Sequence, residues 1–179
     1  MKKRIHIFGA SGSGTTTIAN MACAKLDYSH FDSDSYFWLP TSDPFTQERP
    51  QEERISLMEN DLSNCGYWIL SGSLTGWGDV LIPLFDLVVF VYVPQSLRME
   101  RLAKRERERY GGKMLPGGSK YEDSKTFLAW AASYDLGTQN GRSLYKHEKW
   151  LEGIGCRVIK VINDSLEDSV NAVMDAIKK

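Results

Sequence analysis

Alternating strand-like and helix-like segments along the 179 residues predict an α/β fold with a five-stranded, mostly parallel sheet between helices. Three observations carry this. The β-branched and aromatic run at residues 4–8 leads directly into a glycine-rich loop and then a helical segment. Residues 87–93 are apolar throughout, as befits a strand covered on both faces. The alternation continues to the C-terminus, where Leu166, Val170, Val173, Met174 and Ile177 mark one helical stripe. No linker or internal repeat divides the chain, and its length suits one domain with a sizeable core, residues 1–179.

Taken in order, the first strand, residues 4–8, is followed by GASGSGTT and a helix over 15–25, with Ile18, Met21 and Ala22 toward the core. Residues 28–31 form a second strand that ends in Asp32 and Asp34. The aromatic and proline-rich stretch 35–50 reads as an ordered loop, and 51–62 as a helix marked by Ile55, Met58 and Leu62. Residues 67–70 make the third strand and 80–85 a turn. Pro94 ends the fourth strand, and Ser96 is the expected cap of the arginine-rich helix after it. Helices follow over 122–134 and 144–151, then a last strand, 157–162, and a terminal helix opened by Ser165.

Bulk properties exclude several classes of partner. A formal net charge of -1 gives no general attraction to nucleic acid or to an anionic membrane. No apolar stretch reaches transmembrane length, and the N-terminal run is too short for a signal peptide. Cys23, Cys65 and Cys156 are scattered and odd in number, which fits a reducing cytoplasm and offers no metal cluster.

The chemistry concentrates at residues 9–16. Gly9, Ala10, Ser11, Gly12, Ser13, Gly14, Thr15 and Thr16 have the spacing of a phosphate-cradling loop, G-x-x-x-x-G-K-[ST], with Thr15 in place of the lysine. Glycines let successive backbone N–H groups curl around an anion, and the following helix adds its free N–H groups. Thr16 occupies the hydroxyl position that meets magnesium. Either a basic residue comes from elsewhere, with Arg101, Arg105, Arg109 and Arg142 as the candidates, or the site binds nucleotide and transfers slowly.

Asp32 and Asp34 lie two apart at a strand end. An extended backbone puts both on one face, roughly 6 to 7 Å apart. One carboxylate then orients magnesium while the other meets an acceptor hydroxyl; the competing reading is a pair of turn-forming caps. Tyr36, Phe37, Trp38, Phe45 and Trp77 either wall a pocket for a flat ring or pack the loop on the sheet, and Arg49 is a candidate anion contact. His147 reads as exposed.

GASGSGTTT, FDSD, LVVFVYVP followed by RMERLAKRERERYG, and VIKVIND resemble the nucleotide and small-molecule kinase branch of P-loop proteins. The loop is similar to that of archaeal cytidylate kinases. FWLPTSDPF, SGSLTGWGD and YDLGTQNGRS resemble bacterial adenylate-kinase-like proteins. This resemblance implies a three-layer P-loop NTPase fold with strand order 2-3-1-4-5. It also implies a short lid at about 105–121, an acceptor-side insert at about 35–62, and ATP with Mg2+ as cofactors. In site residues it implies Asp32 with Thr16 at the metal and Asp34 at the acceptor hydroxyl. Arg105 and Arg109 are implied in the lid and Asn163 beside the base. Arg142, after the GTQNG stretch, is a candidate for the γ-phosphate. The expected activity is ATP-dependent phosphoryl transfer to a small acceptor, by a cytoplasmic monomer or homodimer. The competing expectations are an ATPase or switch working through a protein partner, or an ATP-binding protein without catalysis. Ser71, where such folds usually carry an aspartate, and Thr15 are the departures from the pattern.

Overall fold

The computed structural model describes residues 1–179. Strands β1 (Arg4–Gly9), β2 (Ser29–Asp32), β3 (Trp68–Ser71), β4 (Leu87–Tyr92) and β5 (Arg157–Ile162) pair in parallel in the order β2-β3-β1-β4-β5. This is the three-layer α/β P-loop NTPase fold anticipated from the sequence.

Alternation along the strands sorts the side chains into two cores. Ile5, Ile7, Ile69, Leu87, Val89 and Val91 face α1 (Thr15–Leu26) and α7 (Leu166–Lys178), which contribute Ile18, Ala22, Val170, Val173 and Ile177. Phe8, Trp68, Leu70, Val88 and Phe90 face the opposite layer, where α3 (Gln51–Ser63) supplies Met58 and Leu62 and α6 (Leu144–Leu151) supplies Trp150. The central strands β1 and β4 are buried on both faces, and this is why β4 reads as an unbroken apolar run and Ile5–Phe8 of β1 as one interrupted only by His6. Each buried aliphatic contributes roughly 1.5–3 kcal/mol, so the sheet is a rigid base for whatever its C-terminal ends carry.

His6 lies within the second core. It is fully buried and stacked against Phe8 and Phe85, with ring centroids 5.4 and 4.9 Å away. Its Nδ1 sits 3.1 Å from the Leu70 carbonyl, and burial pulls its pKa down to about 3. It is therefore a neutral core residue.

Four expectations need correction. Helix α4 (Gln95–Tyr110) begins after Pro94, with no side-chain cap, and Ser96 lies inside its first turn. Residues 33–37 form a short helix, α2 (Ser33–Phe37), and the rest of the stretch doubles back through a Trp38–Glu48 bridge. Met21 and Leu166 are exposed, at 36% and 38%, so the core stripes of α1 and α7 are narrower than the pattern suggested. His147 is fully buried: it shares a helix face with Leu144 and Trp150, three residues to either side.

Between α4 and α5 (Tyr121–Ala132) the chain makes a 3-10 turn over Gly111–Met114. No helix is long and apolar enough to cross a membrane.

Candidate active site

The C-terminal ends of β1, β2 and β3 open on one cavity of about 1440 Å3. Parallel-sheet proteins bind ligands at this end, where loops and helix N-termini converge. A second, shallower cleft of about 1120 Å3, walled by Lys2, Asp86, Cys65 and Cys156 among others, lies at the opposite end and contains none of the candidate residues.

The glycine loop forms the floor of the main cavity. Gly12 and Gly14 have φ of +82° and +87°, which L side chains rarely adopt. Space is equally restrictive. A Cβ on Gly9 would lie 2.4 Å from the Val91 carbonyl, and one on Gly12 would lie 2.9 Å from the Arg98 carbonyl. The loop is thus pressed between β4 and the start of α4. Asn163, 2% exposed after β5, clamps it from the third side. Its Nδ2 donates to the Ser13 carbonyl at 2.8 Å, its Oδ1 accepts from Ser169, and its own carbonyl accepts from Arg101 at 3.1 Å. The Asn163 side chain therefore holds the loop, and the Arg101 guanidinium holds Asn163.

Gly9, Ala10, Ser11, Gly12, Gly14, Thr15 and Thr16 line the cavity. Ser13 does not: its N–H bonds the Ala10 carbonyl at 3.1 Å, and its hydroxyl is buried without a partner. It holds the turn closed.

Opposite the loop stands an oxygen-rich wall. The Thr16 hydroxyl donates to Asp32 Oδ2 at 2.9 Å, and Ser71 donates to the same oxygen at 3.2 Å. Asp32 Oδ1 accepts the Asp34 N–H at 3.0 Å, so Asp32 is also the N-cap of α2. The capping alternative and the cavity alternative are thus both realised by one side chain. The expected extended pair is not: Asp34 has turned into the first helical turn. His30 Nε2 lies 2.9 Å from the Ser71 hydroxyl, and desolvation lowers its pKa despite the nearby Asp32.

Asp34 is open to the cavity yet surrounded by its walls. That crowding, aided by Asp32, raises its pKa, while Arg142, Arg105 and Arg109 pull the other way. The three guanidiniums stack on aromatic rings: Arg142 over Trp130 at 5.1 Å, Arg105 over Phe127 at 5.9 Å and Arg109 over Phe45 at 5.0 Å. Desolvation lowers the pKa of Arg105 and of Arg142, with Asp34 opposing it in both. They stay charged, because an arginine keeps its proton in proteins. The ion pairs nearby belong to other arginines. Arg98 is 1% exposed and tied to Asp135 and to the carbonyls of Val93 and Ala131. Arg54 pairs with Glu48 at 2.9 Å and lies over Phe37 at 3.7 Å. Arg49, a candidate anion contact from sequence, donates instead to the Tyr36 carbonyl at 3.0 Å and braces the insert.

Phe37, Trp38, Phe45 and Trp77 line the cavity, whereas Tyr36 is a core residue whose hydroxyl donates to Asp61. Across the mouth, Lys120 donates to Asp43 at 2.6 Å, which joins the segment after α4 to the insert. Sequence reasoning missed the Asn163 clamp and the polar cluster in which Tyr134 and His147 lie behind the cavity-lining Ser73 and Thr75. Only the helical spacing of His147 with Trp150 signalled the second.

No group of three His, Cys, Asp or Glu side chains is placed to hold a metal ion. The site offers instead one carboxylate, Asp32, flanked by two hydroxyls. That hard-oxygen set fits Mg2+, which keeps several waters and takes one or two carboxylates plus substrate phosphates.

Comparisons with known proteins agree with this fold. A family model described as an AAA domain matches residues 5–125. The Bacillus subtilis (strain 168) protein YqaC, described as uncharacterized, is 49% identical over 176 residues, which cover 98% of this chain and 97% of that protein. Among solved structures, shikimate kinase from Bacteroides thetaiotaomicron superposes with a TM-score of 0.60 at 16% identity, over 100% of both chains. A gluconokinase from Sinorhizobium meliloti 1021 gives 0.58 at 15%, over 98% of this chain and 91% of that one. At such identities these two likenesses speak for the fold alone. The family match covers well over half of the residues, and the chain belongs to this AAA-domain family of P-loop NTPases, in the kinase-like version of the fold.

Proposed function

We propose that the protein is an ATP-dependent phosphotransferase that moves the γ-phosphoryl group of ATP to an oxygen of a small acceptor. One observation carries the reading: a single cavity holds the phosphate loop, the Thr16–Asp32 oxygen pair, the Asp34 carboxylate and three arginines without carboxylate partners. A nucleotide-only site has no use for Asp34 and the aromatic wall beyond it.

In this reading the backbone N–H groups of the loop and the N-terminus of α1 bind the phosphates. Thr16 and Asp32 hold Mg2+, which supplies charge neutralisation on the phosphates when bound. Asp34 orients the attacking oxygen of the acceptor and, where that oxygen is a hydroxyl, takes its proton as the oxygen–phosphorus bond forms. The bond from the γ-phosphorus to the bridging oxygen breaks, and ADP leaves. Arg105, Arg109 and Arg142 hold the charge on the moving group, which is the task the lysine performs in loops that have one. Aromatic stacking fixes their planes without neutralising them, so the charge stays available to the substrate. Phe37, Trp38 and Trp77 shape the acceptor side, and the compact insert suits a nucleoside, a nucleoside monophosphate or a hydroxy acid rather than a macromolecule.

The test is a coupled ADP-release screen with magnesium ATP against shikimate, D-gluconate, cytidine and CMP, each with and without the protein. Acceptor-stimulated release supports the reading. Release that is indifferent to every acceptor favours an ATPase acting through a partner, and no release at saturating ATP favours a non-catalytic nucleotide-binding protein.

A further inference from the structure

Behind the oxygen-rich wall, one buried imidazole joins two hydroxyls. The Tyr134 hydroxyl lies 2.8 Å from His147 Nδ1, and the Ser73 hydroxyl lies 3.1 Å from Nε2. His147 is fully buried, Tyr134 is 4% exposed and Ser73 6%. In so dry a place every proton needs a partner, and the partners are few. The Tyr134 hydroxyl has no acceptor besides Nδ1, so it donates there. Burial, with Arg142 and His6 nearby, pulls the His147 pKa down to about 3, and the ring is neutral. Its one proton therefore sits on Nε2 and is donated to Ser73 Oγ. The Ser73 proton passes to the remaining neighbour, Thr75 Oγ1, at 3.3 Å. Thr75 then has an O–H with no partner in the chain, and it lines the same cavity as Asp34 and Arg142.

We propose that Thr75 is a specificity-determining hydrogen-bond donor of the acceptor pocket, its proton held toward the cavity by the Tyr134–His147–Ser73 relay. It pairs with an acceptor oxygen that bears no proton: a carbonyl, ether, carboxylate or phosphate oxygen. The inference rests on the phosphotransferase reading of this cavity. Asp34 accepts and Thr75 donates, so together they select a molecule with a hydroxyl to be phosphorylated and a second, proton-free oxygen near it. Without His147 fixed in one tautomer, a threonine hydroxyl would turn to suit either kind of partner and would select neither. Tyr134, His147 and Ser73 are positioning residues in this scheme. They act only through Thr75.

Two measurements test it. The first needs no ligand: long-range proton–nitrogen correlation spectra of protein labelled with nitrogen-15 at histidine. The expected result is a neutral His147 with the proton on Nε2 from pH 5 to 8. A proton on Nδ1, or a ring that titrates in this range, overturns the relay. The second is kinetic, with whichever of shikimate, D-gluconate, cytidine or CMP stimulates ADP release. Thr75→Val is expected to raise the KM for that acceptor about tenfold, the effect of losing one hydrogen bond, with kcat within about threefold. Thr75→Ser, which keeps the hydroxyl, is expected to restore most of the affinity. An unchanged KM in Thr75→Val, or a Thr75→Ser variant as impaired as Thr75→Val, overturns the donor role while leaving the phosphotransferase reading in place. If no acceptor stimulates the unmodified protein, that reading falls, and this inference falls with it.

Discussion

The two sides of the cavity are built on different physics. Around the glycine loop nearly all contacts are short and uncharged: β4 and α4 press on it, Asn163 bonds across it, and positive φ angles fix its path. Across the cavity, Arg105, Arg109 and Arg142 carry full charges on side chains that rest on aromatic rings and lack carboxylate partners. The loop is preorganised by packing, so its N–H groups are aimed before a phosphate arrives. The arginine wall is preorganised in charge but not in contacts, and substrate is what completes it. A loop with a lysine would combine both properties. Thr15 separates them, leaving geometry on one side and charge on the other.

That division predicts different failures for the two sides. The largest effect belongs to Thr16→Ala, which removes the hydroxyl bonded to Asp32 at 2.9 Å. Turnover is expected to fall on the order of 10³-fold in the ADP-release assay, comparable to losing a preorganised polar group at a charged transition state. Retained acceptor-dependent turnover would remove Thr16 from the metal site. Next is Arg105→Lys, which keeps the charge but loses the planar fork and its stacking on Phe127. We expect kcat to drop on the order of 10²-fold, with affinity for a non-hydrolysable ATP analogue nearly unchanged. A loss of analogue binding instead would place Arg105 in the ground-state donor site and blur the comparison.

Asn163→Ala probes the loop side by a different route. It leaves the Ser13 carbonyl and the Ser169 hydroxyl without their partner in a buried place. The cost is expected at about 2 kcal/mol of stability, read by urea denaturation, together with weaker binding of the ATP analogue. Loss of analogue affinity without loss of stability would mean that Asn163 touches the nucleotide directly, as its place after the last strand first suggested.

How much of this was legible in the sequence follows the same division. The strands, the loop and the β1-to-α1 transition could be read because glycine spacing and apolar runs are local signals, whereas the strand order came only with the resemblance to P-loop kinases. Asp32 could be placed at the site, but its turn into a helix cap could not, since an Asp at a strand end serves equally for either. The roles of Arg49, Arg98 and Arg142 were not distinguishable. Each is an arginine in a polar stretch, and only the fold decides that Arg98 is buried on Asp135 and that Arg49 braces the Tyr36 carbonyl. Nor could composition show that Arg142 faces Asp34, which lies 108 residues earlier in the chain. His147 was misread for a related reason. A histidine among Lys146, Glu148 and Lys149 looks solvated until Leu144 and Trp150 define the buried face.

The smallest expected effect is also the one that couples the two descriptions of the acceptor side. Desolvation and Asp32 raise the pKa of Asp34, and Arg142, Arg105 and Arg109 restrain the rise. A base works only when deprotonated, so activity is lost as pH falls through this pKa. The acid limb of kcat/KM should therefore lie above the ordinary aspartate value of about 4. Replacing Arg142 by Gln removes the largest restraining charge, raises the Asp34 pKa further and moves the limb to still higher pH. Asn163→Ala, which alters only the loop, should lower the rate without moving the limb. Profiles of kcat/KM against pH for the unmodified protein and these two variants, at saturating magnesium ATP, decide the matter. A limb that moves equally in both variants would mean that loop and wall share one electrostatic unit. A limb that moves only with Arg142 identifies Asp34 as the titrating base and keeps the charge of this site on the arginine side.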